Sequence, residues 1–494
     1  MTKVVAVITA STPGEAERQA RTAIQRGADL VEFRVDRLRD LNSADIRKLA
    51  GSFGPRAIAT LRSPSEGGGR PRSGLPRIAV LRELCQPGFG YVDLELEADA
   101  KDIRDLRVLA KRHRSRVIVS RHFEDFVGAS KIRDTLEASA AVGDIAKAVV
   151  PIAHWYEALE VVDLARSWAA KSKPYVLIGM GPAGAVTRVL AGDLGQAFHY
   201  AAFGAEAAPG QLPLRSAIRV HGPEPFVVGL VGHRIGHSIS PQIHEAALDA
   251  AGLPGVYLPF DVEASDLEPL LQSADRLRLR GLNITIPHKE RIASMLDELD
   301  GDAERLGAVN TVVVDGGWAK GFNTDVYGFR ISLRALGLRL GERDALVVGA
   351  GGAAKAVVHV LLREGARVQV ANRSASRAEA LADSFDEPLD VVSLDELPTR
   401  GPWDLLVNAT PAGMEGHDAT PPVPESVIRK AAFVYDLVYN PPSTLLLQVA
   451  ARLGKPATSG IEMLLHQAAK AFELWTDRPA SIDAMRRAAK EALR

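Results

Sequence analysis

Six short β-branched runs in the first 205 residues end in, or lead straight into, polar side chains that packing alone does not call for. They bring Glu32 and Arg34, Arg62 and then Glu66, His122, Lys147, Arg188 beyond a later run, and Gln211 beyond the last. Lys147 sits in IAKAVVP among Ile, Ala and Val. Burial there disfavours an ammonium and frees an amine that can attack a ketone. The product is a protonated imine, an electron sink that acidifies the neighbouring C–H. His122 is the residue type to take that proton and later protonate a leaving hydroxyl. The arginines suit a carboxylate on the substrate. Singly, each has a plain structural reading: Glu32 and Arg34 as an interior ion pair, His122 as a satisfied core histidine, Lys147 as a stem reaching toward solvent. Their recurrence at the same end of six different runs is what packing does not account for.

A second set lies in the C-terminal half. GLVGHRIGHSISPQIH places Ser238 and Ser240 between a buried strand and a helix start, where hydroxyls cap the helix or bind a polyol. GLNITIPHKE puts Thr285 and Lys289 just after an apolar strand, and GFNTD puts Asn323 and Asp325 beyond a hairpin that begins at Asn310. A Lys and an Asp in one cleft can relay a proton to a carbonyl oxygen during reduction, although such a pair equally suits a surface ion pair. GAGGAA, with Gly349, Ala350, Gly351, Gly352 and Ala353, is a G-x-G-x-x-A turn between a strand and a helix, the phosphate cradle of dinucleotide-binding folds. The next strand ends in Asn372, Arg373 and Ser374, with Arg377 close by and no acid to hold a ribose 2′-hydroxyl. Arginine there favours a 2′-phosphate, hence NADP over NAD.

The elements that position these residues follow from periodicity. Eight β-branched runs start at Val4, Leu30, Ala57, Tyr91, Val117, Ile145, Tyr175 and Tyr200. They recur about every 28 residues, the length of a strand, a helix and two short loops, which predicts a (β/α)8 barrel with trimmed loops. LPLRSAIRVHGPEPF, ending at Phe226, carries three prolines and no sustained period, and reads as a linker. FVVGLVG then opens a second domain, followed by a helix from Pro241 that Gly252 can cap. VNTVVVDGGWAKGF reads as a hairpin turning at Asp315-Gly316, and a βαβ unit starts at Asp344. From Ile461 the chain reads as helical to its end. The expected organisation is α/β throughout: a barrel over 1–215, a substrate-binding domain over 226–330, a Rossmann-type domain over 331–460, and helices over 461–494 packing on the substrate domain.

With 494 residues and a net charge of −1, no overall positive charge draws the chain to nucleic acid or anionic lipid. Cys85 is the only cysteine, so no intramolecular disulfide or cysteine-cluster metal site can form, and no metal is expected. MTKVVAVITA lacks a signal-peptide pattern and no apolar stretch approaches 18 residues, so a cytoplasmic enzyme with no membrane partner is expected. A monomer or small homo-oligomer acting on small molecules fits these readings.

The first half resembles the type I 3-dehydroquinate dehydratase family in VEFRVD, TLRSPSEGG, SRHFEDF, IAKAVVP, MGPAGAVTR and APGQL. That resemblance implies an imine on Lys147, acid/base work by His122 oriented by Glu66, and substrate binding by Glu32, Arg34, Arg62, Arg188 and Gln211. The family usually has Ser where this chain has Ala207, in a loop about two residues short. The second half is similar to shikimate dehydrogenase in HSISP, NITIPHK, GAVNT, FNTD, GAGGAA, NRSASR, NAT, YDLVYNP and GIEMLLHQA. This similarity implies Lys289 and Asp325 as the catalytic pair, with Ser238, Ser240, Thr285, Asn310, Tyr439 and Gln467 on the substrate. It also implies NADP contacts through the glycine turn, Asn372, Arg373, Ser374, Arg377, Asn408, Thr410 and Gly460.

The two resemblances fit one another, because the product of the first activity, 3-dehydroshikimate, is the substrate of the second. The expected function is a fused two-step enzyme converting 3-dehydroquinate to 3-dehydroshikimate and then to shikimate. The rivals are a quinate/shikimate dehydrogenase with a weakened dehydratase half and a non-catalytic metabolite sensor. The two activities are expected to be separable, with Lys147 and Lys289 exposed and replaceable without loss of fold.

Overall fold

The computed structural model describes residues 2–494 apart from Asp40, 70–75, Pro87, Asp99, Ser172, 205–207 and Pro223. Contacts divide the chain into two compact units. One is Met1–Gly229, Gly252–Val262 and Pro269–Leu279; the other is Leu230–Ala251, Glu263–Glu268 and Arg280–Arg494.

Every β-branched run of the N-terminal half forms a strand: β1 (Lys3–Ile8), β2 (Leu30–Arg34), β3 (Ala57–Thr60), β4 (Tyr91–Glu95), β5 (Arg116–His122), β6 (Ile145–Pro151), β7 (Tyr175–Met180) and β8 (Phe198–Phe203). They pair in the order β7-β6-β5-β4-β3-β2-β1-β8, and the Ala197 N–H donates to the Tyr175 carbonyl at 2.8 Å where the barrel closes. Alternate side chains point inward, so Val5, Val7, Leu30, Ile58, Tyr91, Ile118, Ile145, Val176, Phe198 and Tyr200 pack as one buried cluster. This packing fixes the rim on which the polar residues stand.

Part of the expected linker is helical: Leu214–Val220 forms a helix with Pro213 at its N-cap. A proline read as a breaker is here a helix starter, since its missing N–H is one that a first turn leaves unbonded anyway.

The second sheet runs β10-β9-β11-β13-β14-β12, built from β9 (Phe226–Gly232), β10 (Gly255–Asp261), β11 (Leu279–Ile284), β12 (Glu298–Leu299), β13 (Thr311–Asp315) and β14 (Trp318–Phe322). The hairpin turns one residue later than expected. Asp315 pairs with Trp318, and the positive φ falls on Gly316 (55°) and Gly317 (82°). Two glycines at the centre meet a type I′ turn without steric cost, leaving Asp315 in the ladder.

The third sheet joins β15 (Asp344–Val348), β16 (Arg367–Ala371), β17 (Asp390–Val391), β18 (Trp403–Asn408), β19 (Ala431–Asp436) and β20 (Ala457–Ser459). Its order, β17-β16-β15-β18-β19-β20, is that of a doubly wound dinucleotide fold with its switch point between β15 and β18. Two helices follow, Ile461–Thr476 and Ile482–Ala492, in the segment read as helical. Trp475 donates to the Val312 carbonyl at 2.9 Å, and a Cβ on Gly281 would lie 2.0 Å from its indole, so the first helix seats directly on β11 and β13. Among the described residues no helix is long and apolar enough to cross a membrane.

Candidate active sites

The C-terminal ends of the barrel strands surround a cavity of about 570 Å³. All eight sequence-predicted residues line it: Glu32, Arg34, Arg62, Glu66, His122, Lys147, Arg188 and Gln211. Lys147 is 3% exposed and not the exposed lysine expected. Its surroundings are ionic as well as apolar: Nζ donates to Asp93 Oδ2 at 2.9 Å and lies 4.0 Å from Glu32 Oε1. Ile145 and Val149 share its inward face, and the acids come from other strands, which is why the sequence suggested a drier setting. Burial alone would raise the Asp93 carboxyl, but the charges of Lys147 and Arg62 outweigh it and hold the group below its ordinary range.

Arg62 ties the floor together, donating to Ser120 at 2.9 Å, Glu66 and Asp93 at 3.3 Å and Glu95 at 3.4 Å. Arg34 is held by Asp36 through two bonds of 2.9 and 2.8 Å, and Glu32 accepts from Thr60 at 2.7 Å. Arg188 donates to the Gly179 carbonyl while lining the cavity. Asp93, Glu95 and Ser120 were missed in the sequence. The available signal was YVDLE, in which two acids spaced by two share one face of a buried strand. Ala207 lies outside the described residues.

His122 Nδ1 meets Glu66 Oε2 at 3.0 Å. Burial, followed by the charges of Arg62 and Lys147, holds the imidazole well below its ordinary value, so it is neutral at neutral pH. Burial pushes the Glu66 carboxyl up to about 7 against the pull of Arg62. A protonated Glu66 donates to Nδ1 and places the ring proton on Nε2, whereas an ionised Glu66 accepts from Nδ1–H and frees the Nε2 lone pair as a base. Elimination is therefore expected to rise with pH through about 7 in kcat/KM, with Glu66→Gln removing that limb. A Gln variant that keeps the same limb would show that another group sets it.

In the second half, Lys289 Nζ donates to Asp325 Oδ2 at 2.6 Å, which brings together the two residues that spacing alone left open. Asn310, one residue before β13, donates to Asp325 Oδ1 at 2.9 Å and accepts from the Thr324 N–H at 2.7 Å. It thereby caps the helix Thr324–Ala335 and fixes the first turn that carries Asp325. Gln467, on the helix Ile461–Thr476, accepts from Asn310 at 3.4 Å and Thr324 at 3.3 Å. Ser238 donates to Ser240 at 3.1 Å and accepts from the Ser240 N–H at 3.2 Å, so it combines the capping and polar-contact readings. Burial pushes the Tyr439 phenol up, opposed by its hydrogen bond with Ser238. Thr285 lies one residue beyond β11 against Gly232. Asn323, buried beside this group, donates to the Ala308 carbonyl at 2.8 Å.

The glycine turn passes below the same cleft. Gly349 has φ of 123°, and a Cβ there would stand 2.8 Å from the Ala409 carbonyl, so only glycine lets the chain turn here. Gly351 is the N-cap of the helix Gly352–Arg363, which offers its N–H groups to a phosphate beside Ala350 and Ala353. A Cβ on Gly352 would lie 3.6 Å from Lys289 Cδ, so the turn faces the Lys289–Asp325 pair. After β16, Asn372 donates to the Ser374 carbonyl at 3.0 Å, and Arg373 and Arg377 are exposed. Asn408 is buried, donating to Asp436 at 2.9 Å and accepting from the Thr410 hydroxyl at 2.7 Å, and so braces the loop after β18. Gly460 approaches the Leu437 carbonyl where a Cβ would stand only 2.1 Å away.

Fold and sites together describe a lysine–histidine barrel joined to a dinucleotide-fold half with a Lys–Asp pair. Residues 4–221 match the family model of type I 3-dehydroquinase, and residues 230–312 match that of the shikimate dehydrogenase substrate binding domain. Residues 331–414 match shikimate/quinate 5-dehydrogenase, and 460–490 the shikimate 5′-dehydrogenase C-terminal domain. The chloroplastic bifunctional 3-dehydroquinate dehydratase/shikimate dehydrogenase of Arabidopsis thaliana is 32% identical over 490 residues, covering 93% of this chain and 79% of that protein. The NADP(+) shikimate dehydrogenase of Methanopyrus kandleri is 45% identical over 55% of this chain and 97% of its own. The crystal structure of shikimate 5-dehydrogenase from Thermus thermophilus, in complex with NADP(H) and shikimate, has a TM-score of 0.50 and 39% identity, covering 54% of this chain and 100% of that one. The chain belongs to the family of bifunctional 3-dehydroquinate dehydratase/shikimate dehydrogenases.

Proposed function

We propose that the two centres act in sequence on the shikimate pathway, with the barrel cavity dehydrating 3-dehydroquinate and the second half reducing 3-dehydroshikimate to shikimate. The observation that carries the reading is the convergence of Lys147, the His122–Glu66 pair and three arginines on one cavity.

The Lys147 ammonium gives up a proton so that its amine adds to the substrate ketone, and with that proton returned the loss of one water gives a protonated imine. His122 takes the proton beside the imine, and the electron pair shifts to nitrogen. It then returns a proton to the departing hydroxyl, so a second water leaves as the conjugated iminium forms on Lys147. Hydrolysis of the imine restores Lys147 and takes one water back, for a net loss of one. Asp93 and Glu32 balance the cation at nitrogen, and the arginines of the cavity meet the carboxylate.

NADPH, when bound, supplies a hydride to the carbonyl carbon. The cradle at Gly349 fits a dinucleotide pyrophosphate because a Cβ would fill it. Lys289, held at 2.6 Å by Asp325, delivers the proton to the carbonyl oxygen. Ser238, Ser240, Thr285 and Tyr439 hold the hydroxyls and carboxylate of the substrate, while Asn310 and Gln467 keep Asp325 aligned. A cytoplasmic setting suits a chain whose one cysteine, Cys85, is buried and unpaired.

Supplying 3-dehydroquinate with NADPH or NADH, and following enone absorbance and nicotinamide oxidation together, tests the sequence of reactions. Enone formation with no oxidation, or neither, would overturn the two-step reading. Cofactor choice has its own test. Exposed Arg373 and Arg377 are placed to meet a 2′-phosphate, and losing one charged hydrogen-bond pair should cut NADPH preference by roughly 10- to 150-fold. NADH kinetics should stay as they were. Equal loss with both cofactors would mean the arginines support the loop and do not read the phosphate.

A further inference from the structure

Tyr200, on β8 in register with Val5, has no place in the chemistry described above, yet it lines the lyase cavity. Its side chain is 4% exposed and its hydroxyl finds no hydrogen-bond partner among the described residues. A tyrosine kept for an internal hydrogen bond would have one. What the side chain presents instead is its face: the ring centroid lies 4.4 Å from Lys147 Nζ. The ring is held in that attitude by Phe198, edge-on at 6.0 Å with planes 90° apart.

We propose that Tyr200 is a further catalytic residue of the dehydratase, its ring face stabilising the cationic Lys147 nitrogen as ammonium becomes iminium. The inference rests on the reading of Lys147 as the imine-forming lysine.

Three groups meet this nitrogen: Asp93 at 2.9 Å, Glu32 at 4.0 Å and the ring at 4.4 Å. An ammonium has three N–H donors to share among acceptors, whereas a protonated imine keeps one. Attraction to an aromatic face depends on the charge and not on the number of N–H groups, so it persists when hydrogen bonds are lost. The ring also cannot accept the remaining proton, as a carboxylate can. It therefore favours the protonated, electrophilic imine over the neutral one, which is a poor electron sink. Burial, with the Glu32 and Asp93 carboxylates nearby, pushes the phenol well above its ordinary value, so the ring stays neutral and its quadrupole intact.

The test uses full-length protein with Tyr200→Phe as reference, then mono-, di- and trifluorinated phenylalanine at the same position, and Tyr200→Leu. Fluorination drains the face of the ring while nearly keeping its shape. Two readouts are taken: the fraction of chain trapped on Lys147 by borohydride at fixed 3-dehydroshikimate, and kcat for dehydration. Reduction of 3-dehydroshikimate with NADPH and the melting temperature report an intact chain. Trapping and kcat should fall stepwise with fluorine count and reach about a ten- to thirtyfold loss in Tyr200→Leu relative to Tyr200→Phe. A flat fluorine series, with the adduct still forming on Lys147, would overturn the role of the ring alone. Equal losses in Tyr200→Phe and Tyr200→Leu would overturn it too, by moving the effect to the hydroxyl. Absence of any adduct on Lys147 in the parent protein would bring down the imine reading together with this one.

Discussion

Lys147→Met is expected to lower elimination from 3-dehydroquinate by on the order of 10⁴- to 10⁶-fold, the scale on which loss of a covalent nucleophile is felt. Reduction of supplied 3-dehydroshikimate should continue at the parent rate, because Lys289 and Asp325 belong to a different compact unit. The choice of Met follows from burial. With Lys147 at 3% exposure beside a fully buried Asp93, truncation to Ala would open a cavity as well as strip Asp93 of a cation. Met keeps most of the stem, and Asp93 retains Ser120 at 2.5 Å and Arg62 at 3.3 Å. Breaking a buried ion pair still costs stability, so the melting temperature should fall even where the fold survives. In the parent, borohydride with either keto acid should leave an adduct whose mass maps to Lys147. An adduct on another lysine, or near-normal elimination in Lys147→Met, would end the imine mechanism as assigned here.

The barrel was legible because its signal is repeated. Eight β-branched runs at even spacing, each followed by a charged amphipathic segment, leave few other architectures, and every run is a strand. The rim residues were legible for a related reason: a charged side chain at the end of an apolar strand stands out against its neighbours. Asp93 and Glu95 did not stand out, since acids inside YVDLE look like ordinary alternation until the pairing with β5 turns them inward beside Ser120 and Lys147. Tyr200 was hidden by its type, because an aromatic on a buried strand reads as core and only the 4.4 Å approach to Lys147 distinguishes it. Pro213 misled because a proline's meaning depends on whether a helix precedes or follows it. The Lys289–Asp325 pair could be named but not joined from spacing. What joins it is the antiparallel pairing of β11 with β13 and the cap that Asn310 places on the helix carrying Asp325.

That pair carries the second large expectation. Lys289→Ala should lower NADPH oxidation with 3-dehydroshikimate by roughly 10²- to 10⁴-fold, the usual worth of a positioned acid/base, while 3-dehydroquinate still converts to enone at the parent rate. With both substrates supplied the enone should therefore accumulate instead of passing through. Lys289 is partly exposed, and its removal leaves Asp325 with the Asn310 amide at 2.9 Å, so the loss should fall on chemistry more than on fold. Asp325→Asn makes the complementary change, keeping the shape but removing the charge that holds the Lys289 ammonium at 2.6 Å. It should lower the same reaction with the same sparing of the other. If either substitution silences both reactions in protein whose circular dichroism and melting remain normal, the two centres are not independent and a single shared site must replace them. Loss confined to NADPH oxidation leaves one chain carrying two chemistries, with Lys147 serving the elimination and Lys289 the reduction.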